Sequence, residues 1–246
     1  MKTYRLIIPA AVFIAAFTLS LDLALAKPED DRVIAIDVLL LPDATMLDQA
    51  NRANALLRTN FANGYTLGGD QTAHITLVHR YVHEKDLPEI EAAVAKQTEA
   101  ASPLDWELNA NGYRYGVWNN LALTNITIDR TPNLDRYQQA IAESVEPFAV
   151  KKGTAEAFST SKELPKVQHE IVDYVENFMS SSTGPNYSPH VTIGVAHEDF
   201  VLALKDKPFD SFRFKVAGVA VYQLGNYGTA QKKLWTWETP QPLKAE

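Results

Sequence analysis

Helix and strand patterns alternate along this 246-residue chain in an order that predicts a mixed helix-and-strand fold built as two related halves. Two observations carry that expectation. The order strand, helix, strand, helix, strand runs once before about residue 117 and recurs, more loosely, after residue 121. The period is far beyond the 20–50 residues of stacked repeats, so halves are expected and a solenoid is not. Each half also contains one strand with the same pattern, His-apolar-Thr-apolar: His74-Ile75-Thr76-Leu77 and His190-Val191-Thr192-Ile193. A composition of 46% hydrophobic and 22% charged residues is ordinary for a folded protein, and 11 Gly and 13 Pro exclude collagen-like and low-complexity chains.

The elements follow in order. Arg32 to Leu41 (RVIAIDVLLL) is rich in branched apolar residues and ends at Pro42, which predicts a buried strand. Asp43 to Phe61 has helical spacing, with Met46, Leu47, Ala50, Ala53, Leu56 and Leu57 on one stripe. Ala73 to Val82 is a second strand, and Leu87 to Ala100 a helix. Leu104 to Val117 alternates and carries Asn111-Gly112, a hairpin signal. Leu121 to Asp129 is a strand and Pro132 to Val150 a helix with Leu134, Tyr137, Ile141 and Val145 on one face. Lys151 to Thr160 lacks a pattern and is expected to be a linker or lid. Leu164 to Met179 is a helix, His190 to Ala196 a strand, and Glu198 to Leu204 a short helix. Phe212 to Leu224 and Lys233 to Glu238 are closing strands joined by a turn at Gly225 to Gly228.

The first 26 residues are set apart. Lys2 and Arg5 precede an apolar run from Leu6 to Leu19, and Ala24-Leu25-Ala26 is a small-x-small cleavage site. This is the pattern of a secretory signal peptide, and the run is shorter than the ~20 residues a spanning helix needs. Residues 27–246 are then expected to form a single bilobal domain, periplasmic or secreted and free of the membrane. The chain has no Cys, so it carries no lipid-bearing Cys, disulfide, thiol nucleophile or thiolate metal site. A net charge of −7 excludes broad, charge-driven binding to long nucleic acid and leaves room for a short nucleotide in a small cleft.

In a strand, residues i and i+2 share a face, so His and Thr of each tetrapeptide point together while their neighbours enter a core. Two such strands aim two imidazoles and two hydroxyls into one cleft, a set that suits a phosphodiester. One imidazole can accept a proton from the attacking oxygen while the other protonates the departing oxygen. The hydroxyls can donate to non-bridging oxygens as charge shifts.

The duplicated motif resembles that of the 2H (two-histidine) phosphoesterase superfamily, which includes bacterial 2′-5′ RNA ligase-like proteins and cyclic nucleotide phosphodiesterases. Arg32-Val33-Ile34-Ala35-Ile36 with Pro42 is similar to the family's first strand, Pro189-His190-Val191-Thr192 to its second motif, and Val219-Ala220-Val221-Tyr222-Gln223 to its closing segment. The resemblance implies an α+β fold of two pseudo-two-fold-related lobes whose antiparallel sheets face a central cleft, with helices outside. It implies that His74, Thr76, His190 and Thr192 are catalytic. Two imidazoles that share the proton transfers need no metal or other cofactor, and a monomer acting on a small phosphodiester or short oligonucleotide is expected; the resemblance implies a 2′-phosphate product, with His190 as base and His74 as acid. Where the family continues its first motif with an apolar-Leu-Gly ending, this chain has Val78-His79-Arg80-Tyr81.

By parity, His79 and His83 fall on the face opposite His74 and are expected to be exposed, as are His169 and His197. Arg80 shares the parity of His74 and is a candidate phosphate contact. Tyr187, Tyr222 and Tyr227 are candidates for stacking on a base, Tyr187 first because it precedes His190 by three residues. A non-enzymatic protein that holds a phosphorylated ligand in the same cleft is the alternative, with RNA end-joining as a side activity at most.

Overall fold

The computed structural model describes residues 32–69, 71–118 and 121–237. The expected signal peptide lies outside the described residues. Among the described residues, eight strands and five α-helices follow one another as β1 (Val33–Pro42), α1 (Ala44–Asn60), β2 (Ile75–His83), α2 (Leu87–Ala101), β3 (Glu107–Trp118), β4 (Leu121–Ile128), α3 (Pro132–Val145), β5 (Ala149–Val150), α4 (His169–Ser182), β6 (His190–His197), α5 (Glu198–Lys205), β7 (Phe212–Leu224) and β8 (Ala230–Trp237). The fold is α+β, and every pairing between these strands is antiparallel.

The two expected sheets are joined into one. Its strand order is β1-β2-β6-β4-β3-β7-β8, with β5 on β2. The long β7 is the hinge of this arrangement. Its first residues, Phe212 to Lys215, pair with β3, and Val216 to Gln223 pair with β1, so the path closes on itself. Opposite this seam, β2 and β6 meet at a single registered pair, Ile75 with Val191. The two motif strands are thus neighbours that splay apart.

Alternation along β1 sorts the core. Ile34, Ile36, Val38 and Leu40 face one way, into the large apolar cluster that also holds Met46 and Leu57 of α1, Ile90 and Val94 of α2, and Leu134 and Ile141 of α3. Each such fully buried aliphatic chain stabilises by about 1.5–3 kcal/mol. Ala35 faces the other way, with Tyr81, Phe158 and the α4 residues Ile171 and Val175. Helix starts are fixed locally. The Asp43 carboxylate accepts from the backbone N–H of Thr45 and Met46, and the Thr131 hydroxyl accepts from that of Leu134 just after Pro132.

Three local expectations change. Asn111-Gly112 is not a hairpin turn: β3 runs straight through it, with a register shift between Ala110 and Gly112. A β-bulge needs the same permissive residue types as a turn. Helix α4 begins at His169 rather than Leu164, because Pro165 lacks an N–H and holds Leu164 extended. The 151–160 segment is pinned to the body rather than free to act as a lid. Phe158 is buried against Tyr81, the Ser159 N–H donates to the Leu224 carbonyl (2.8 Å), and the Gln223 side chain donates to the Ala157 carbonyl (2.9 Å).

Candidate active site

Both motif strands carry a bulge at the same place. In the β1–β2 ladder, Val38 pairs Val78 but Leu39 pairs Thr76, so Leu77 is the extra residue. In the β4–β6 ladder, Thr124 pairs Gly194 but Asn125 pairs Thr192, so Ile193 is the extra residue. A bulge shifts parity by one. His74 and Thr76 keep the shared face that alternation predicts, but beyond Leu77 the faces exchange.

This reverses two expectations. His79 lies on the same side as His74 and Thr76 and is only 3% exposed. Arg80 turns away: its guanidinium donates twice to Glu146, just after α3 (2.9 and 2.6 Å), and lines no part of the site. Tyr222 is also excluded, buried with Leu39, Ala220 and Ala230. His169 and His197 are exposed as expected.

The two motif strands, with β3, β4 and α4, enclose a cavity of about 520 Å³. Thr76 and His79 face it from β2, His190 and Thr192 from β6, Arg114 from β3 and Asn125 from β4. Tyr174 and Phe178 of α4 form an apolar wall, with Tyr187 and Tyr227 at the side. The size suits a ligand of roughly nucleotide dimensions. Tyr187 is a wall rather than a stacking platform open on its face: it is 5% exposed, and its hydroxyl donates to the Thr76 carbonyl (3.3 Å). Tyr227 sits at φ 60° in the turn after β7, beside Tyr65, and accepts a bond from Gln168 (3.4 Å).

His74, at 8% exposure, is not among the side chains that line the cavity and reaches it only through its neighbours Asp37 and Thr76. Its Nδ1 meets the Thr72 carbonyl at 2.7 Å and its Nε2 meets Asp37 Oδ2 at 3.2 Å. Asp37, on β1, is completely buried, and the same oxygen accepts from the Thr76 hydroxyl (3.0 Å) and His79 Nε2 (3.2 Å). Burial alone raises a carboxyl's pKa, but the charge and hydrogen bonds of His79 and His74 outweigh it and hold Asp37 below its ordinary value. Burial likewise pulls His74 down, and the Asp37 bond and charge more than offset it, leaving His74 above the usual imidazole value.

The second motif is built differently. The Thr192 hydroxyl donates to a neutral acceptor, Asn125 Oδ1 (2.8 Å). His190 Nδ1 meets the Ser188 carbonyl at 2.7 Å, and the Arg114 guanidinium lies 3.2 Å away while also donating to the Ser188 hydroxyl (2.6 Å). Burial, with the positive charge of Arg114 and the two imidazoles across the site, pushes His190 down to about 4, against one opposing bond from Ser188. A neutral imidazole can take a proton and a protonated one can give it, and the two motif histidines are displaced in opposite directions from the ordinary imidazole value. Among the described residues, no group of three or more His, Asp and Glu is arranged to hold a metal ion.

Asp37, Arg114 and Asn125 carry no motif. Asp37 left one trace in the sequence, a lone carboxylate inside an otherwise apolar strand, which is costly unless partnered. The position of Arg114 follows only from the continuity of β3 through Asn111-Gly112.

The model of the 2′-5′ RNA ligase superfamily matches residues 49–228, most of the chain, and the protein belongs to that family of 2H phosphoesterases. Solved structures of similar shape include TT0787 of Thermus thermophilus (12% identity, TM-score 0.48, covering 83% of this chain and 97% of that one). They also include E. coli LigT in apo form (12%, 0.45, 84% and 98%) and complexed with 3′-AMP (10%, 0.42, 84% and 98%). No curated protein matches the chain.

Proposed function

We propose that the protein is an exported, metal-independent phosphoesterase that hydrolyses a 2′,3′-cyclic nucleotide or a similar small phosphodiester. The observation that carries this reading is the meeting of Thr76, His190 and Thr192 in one cavity, with His74 directly behind Thr76 on a shared carboxylate. The two halves work as a pseudo-symmetric pair. The phosphoryl group sits between the two Thr hydroxyls, each of which exchanges its present side-chain acceptor for a non-bridging oxygen. His190 Nε2 takes the proton of the attacking water as its oxygen bonds to phosphorus. The bond from phosphorus to the leaving oxygen breaks, and that oxygen takes the proton of His74. Exchange with solvent resets both imidazoles.

Arg114 holds an anionic oxygen at the mouth of the cavity, and Tyr174, Phe178 and Tyr227 border the nucleoside. The acidic net charge of −7 favours a mononucleotide or short oligonucleotide over long RNA. The basic, apolar amino terminus directs the chain to the periplasm or outside the cell.

The test is turnover of the four 2′,3′-cyclic nucleotides by the purified protein in excess EDTA, beside His74→Ala and His190→Ala. Each substitution is expected to cost about 10²–10⁴ in rate. Full activity in both variants would overturn the mechanism. Binding of the nucleotides without turnover would favour the alternative, a protein that holds a phosphorylated ligand.

A further inference from the structure

We propose that Asp37 is a positioning residue that stores a proton on the β1–β2 side of the cavity and so decides which histidine gives a proton and which takes one. This rests on the two-imidazole reading above. Both ring nitrogens of His74 face acceptors: Nδ1 the Thr72 carbonyl at 2.7 Å, Nε2 the Asp37 carboxylate at 3.2 Å. A carbonyl and a carboxylate donate nothing, so this pair of contacts favours the ring that carries hydrogen on both nitrogens, the imidazolium.

Charge balance points the same way. A carboxylate at 0% exposure with three neighbours on one oxygen, and its Oδ1 without a partner, needs a positive charge beside it. Thr76 supplies a dipole on Oδ2, and the two imidazoles that meet the same oxygen, His79 and His74, supply the compensating charge. The Nε2–Oδ2 separation is long for a charge-assisted bond, which usually spans about 2.7–2.9 Å.

The other half lacks this device. Measured from the bulges, the β4 and β6 positions equivalent to Asp37 and His79 are Leu123 and Val195, a registered pair just as Asp37 and His79 are. Both are apolar. His190 Nδ1 lies closer to the Ser188 carbonyl (2.7 Å) than to the Arg114 guanidinium (3.2 Å), and the tautomer that satisfies the shorter contact leaves the lone pair on Nε2. The groups facing His190 are Arg114 from β3 and, across the site, His74 and His79. Those facing Asp37 and His74 are His79 and Thr72 from the β2 side, with Tyr174 of α4 and Tyr187 close to the carboxylate. A cation beside one histidine and a buried anion beside the other set their proton affinities apart before any substrate arrives.

Asp37→Asn keeps the shape and removes the charge. Histidine NMR titration of the purified protein, free of substrate, reads the effect directly. The expected result is a fall in the His74 proton affinity of about tenfold or more, one unit of midpoint, with His190 little changed. The alkaline limb of kcat/KM moves to lower pH by the same amount. A second variant, Asn125→Asp, places a carboxylate beside Thr192, and its expected result is a rise in the His190 midpoint. An unchanged His74 midpoint in folded Asp37→Asn overturns the proposal. If that variant does not fold, an unchanged His74 midpoint in Asp37→Ser overturns it instead. Because the titration needs no substrate, it separates the two inferences. Shifted midpoints without turnover leave Asp37 in its role and reject the hydrolase, whereas turnover with unshifted midpoints does the reverse.

Discussion

The β1–β2 and β4–β6 halves of the site share a tetrapeptide, a bulge and a Thr hydroxyl held by a neighbouring side chain, yet their electrostatics are opposite. In the first half the Thr76 acceptor is a buried carboxylate that also meets two imidazoles. In the second the Thr192 acceptor is a neutral amide, and a guanidinium lies against the imidazole. A duplicated scaffold thus supplies geometry twice, and residues on the partner strands, outside the motif, give each copy its own charge environment. One side holds a buried carboxylate, and the other a guanidinium.

The strongest way to break the comparison is to remove each histidine in turn. His74→Ala and His190→Ala are each expected to lower kcat/KM by about 10²–10⁴. The double variant should lose little more than the worse single one, because the two act as a unit. Additive losses would mean that the halves work independently. Thr192→Val should cost about 10² in kcat, the order seen when one transition-state donor is removed. Thr76→Val should cost as much and also disturb the pH profile, since its hydroxyl shares the Asp37 oxygen with His74.

The bulges differ in a way that stability measurements can sharpen. Gly194 has φ +134°, and a Cβ there would lie 2.8 Å from Asn54 Nδ2, which donates to the Tyr65 and Ile193 carbonyls (3.0 and 2.9 Å). Gly194→Ala is expected to cost about 1–3 kcal/mol in denaturant unfolding. An unchanged midpoint would show that the bulge can relax. The smallest effect belongs to Arg80→Gln. With its partner Glu146 half exposed and both outside the cavity, kcat and KM should not move.

Much of this was legible in the sequence. The apolar spacing located the strands and helices, β7 to the residue, and the paired His-x-Thr strands located the cavity. Alternation failed at Leu77. Nothing in the run Thr76-Leu77-Val78-His79 announces an extra residue, because Leu and Val suit a bulge and a ladder alike in a buried strand. That single slip makes alternation point His79 away from the site and Arg80 toward it, the reverse of where they lie. Asn111-Gly112 failed for the related reason that turn and bulge chemistry overlap. Tyr222 was misplaced because strand parity says which face a side chain takes and not whether that stretch of face lies under the cavity or beside it. Asp37, Asn125 and Arg114 become partners of the motifs only through strand pairing, which no local pattern encodes.

The most direct test of the account is kcat/KM against pH for 2′,3′-cyclic nucleotide hydrolysis by the wild-type protein and the two single histidine variants. His190 must be unprotonated to act, so activity should rise with pH through a limb near 4. His74 must be protonated, so activity should fall again through a limb above the ordinary histidine value of 6.5. The account predicts a bell whose acid limb vanishes in His190→Ala and whose alkaline limb vanishes in His74→Ala. A profile without the two limbs, or one that keeps both in either variant, would contradict it.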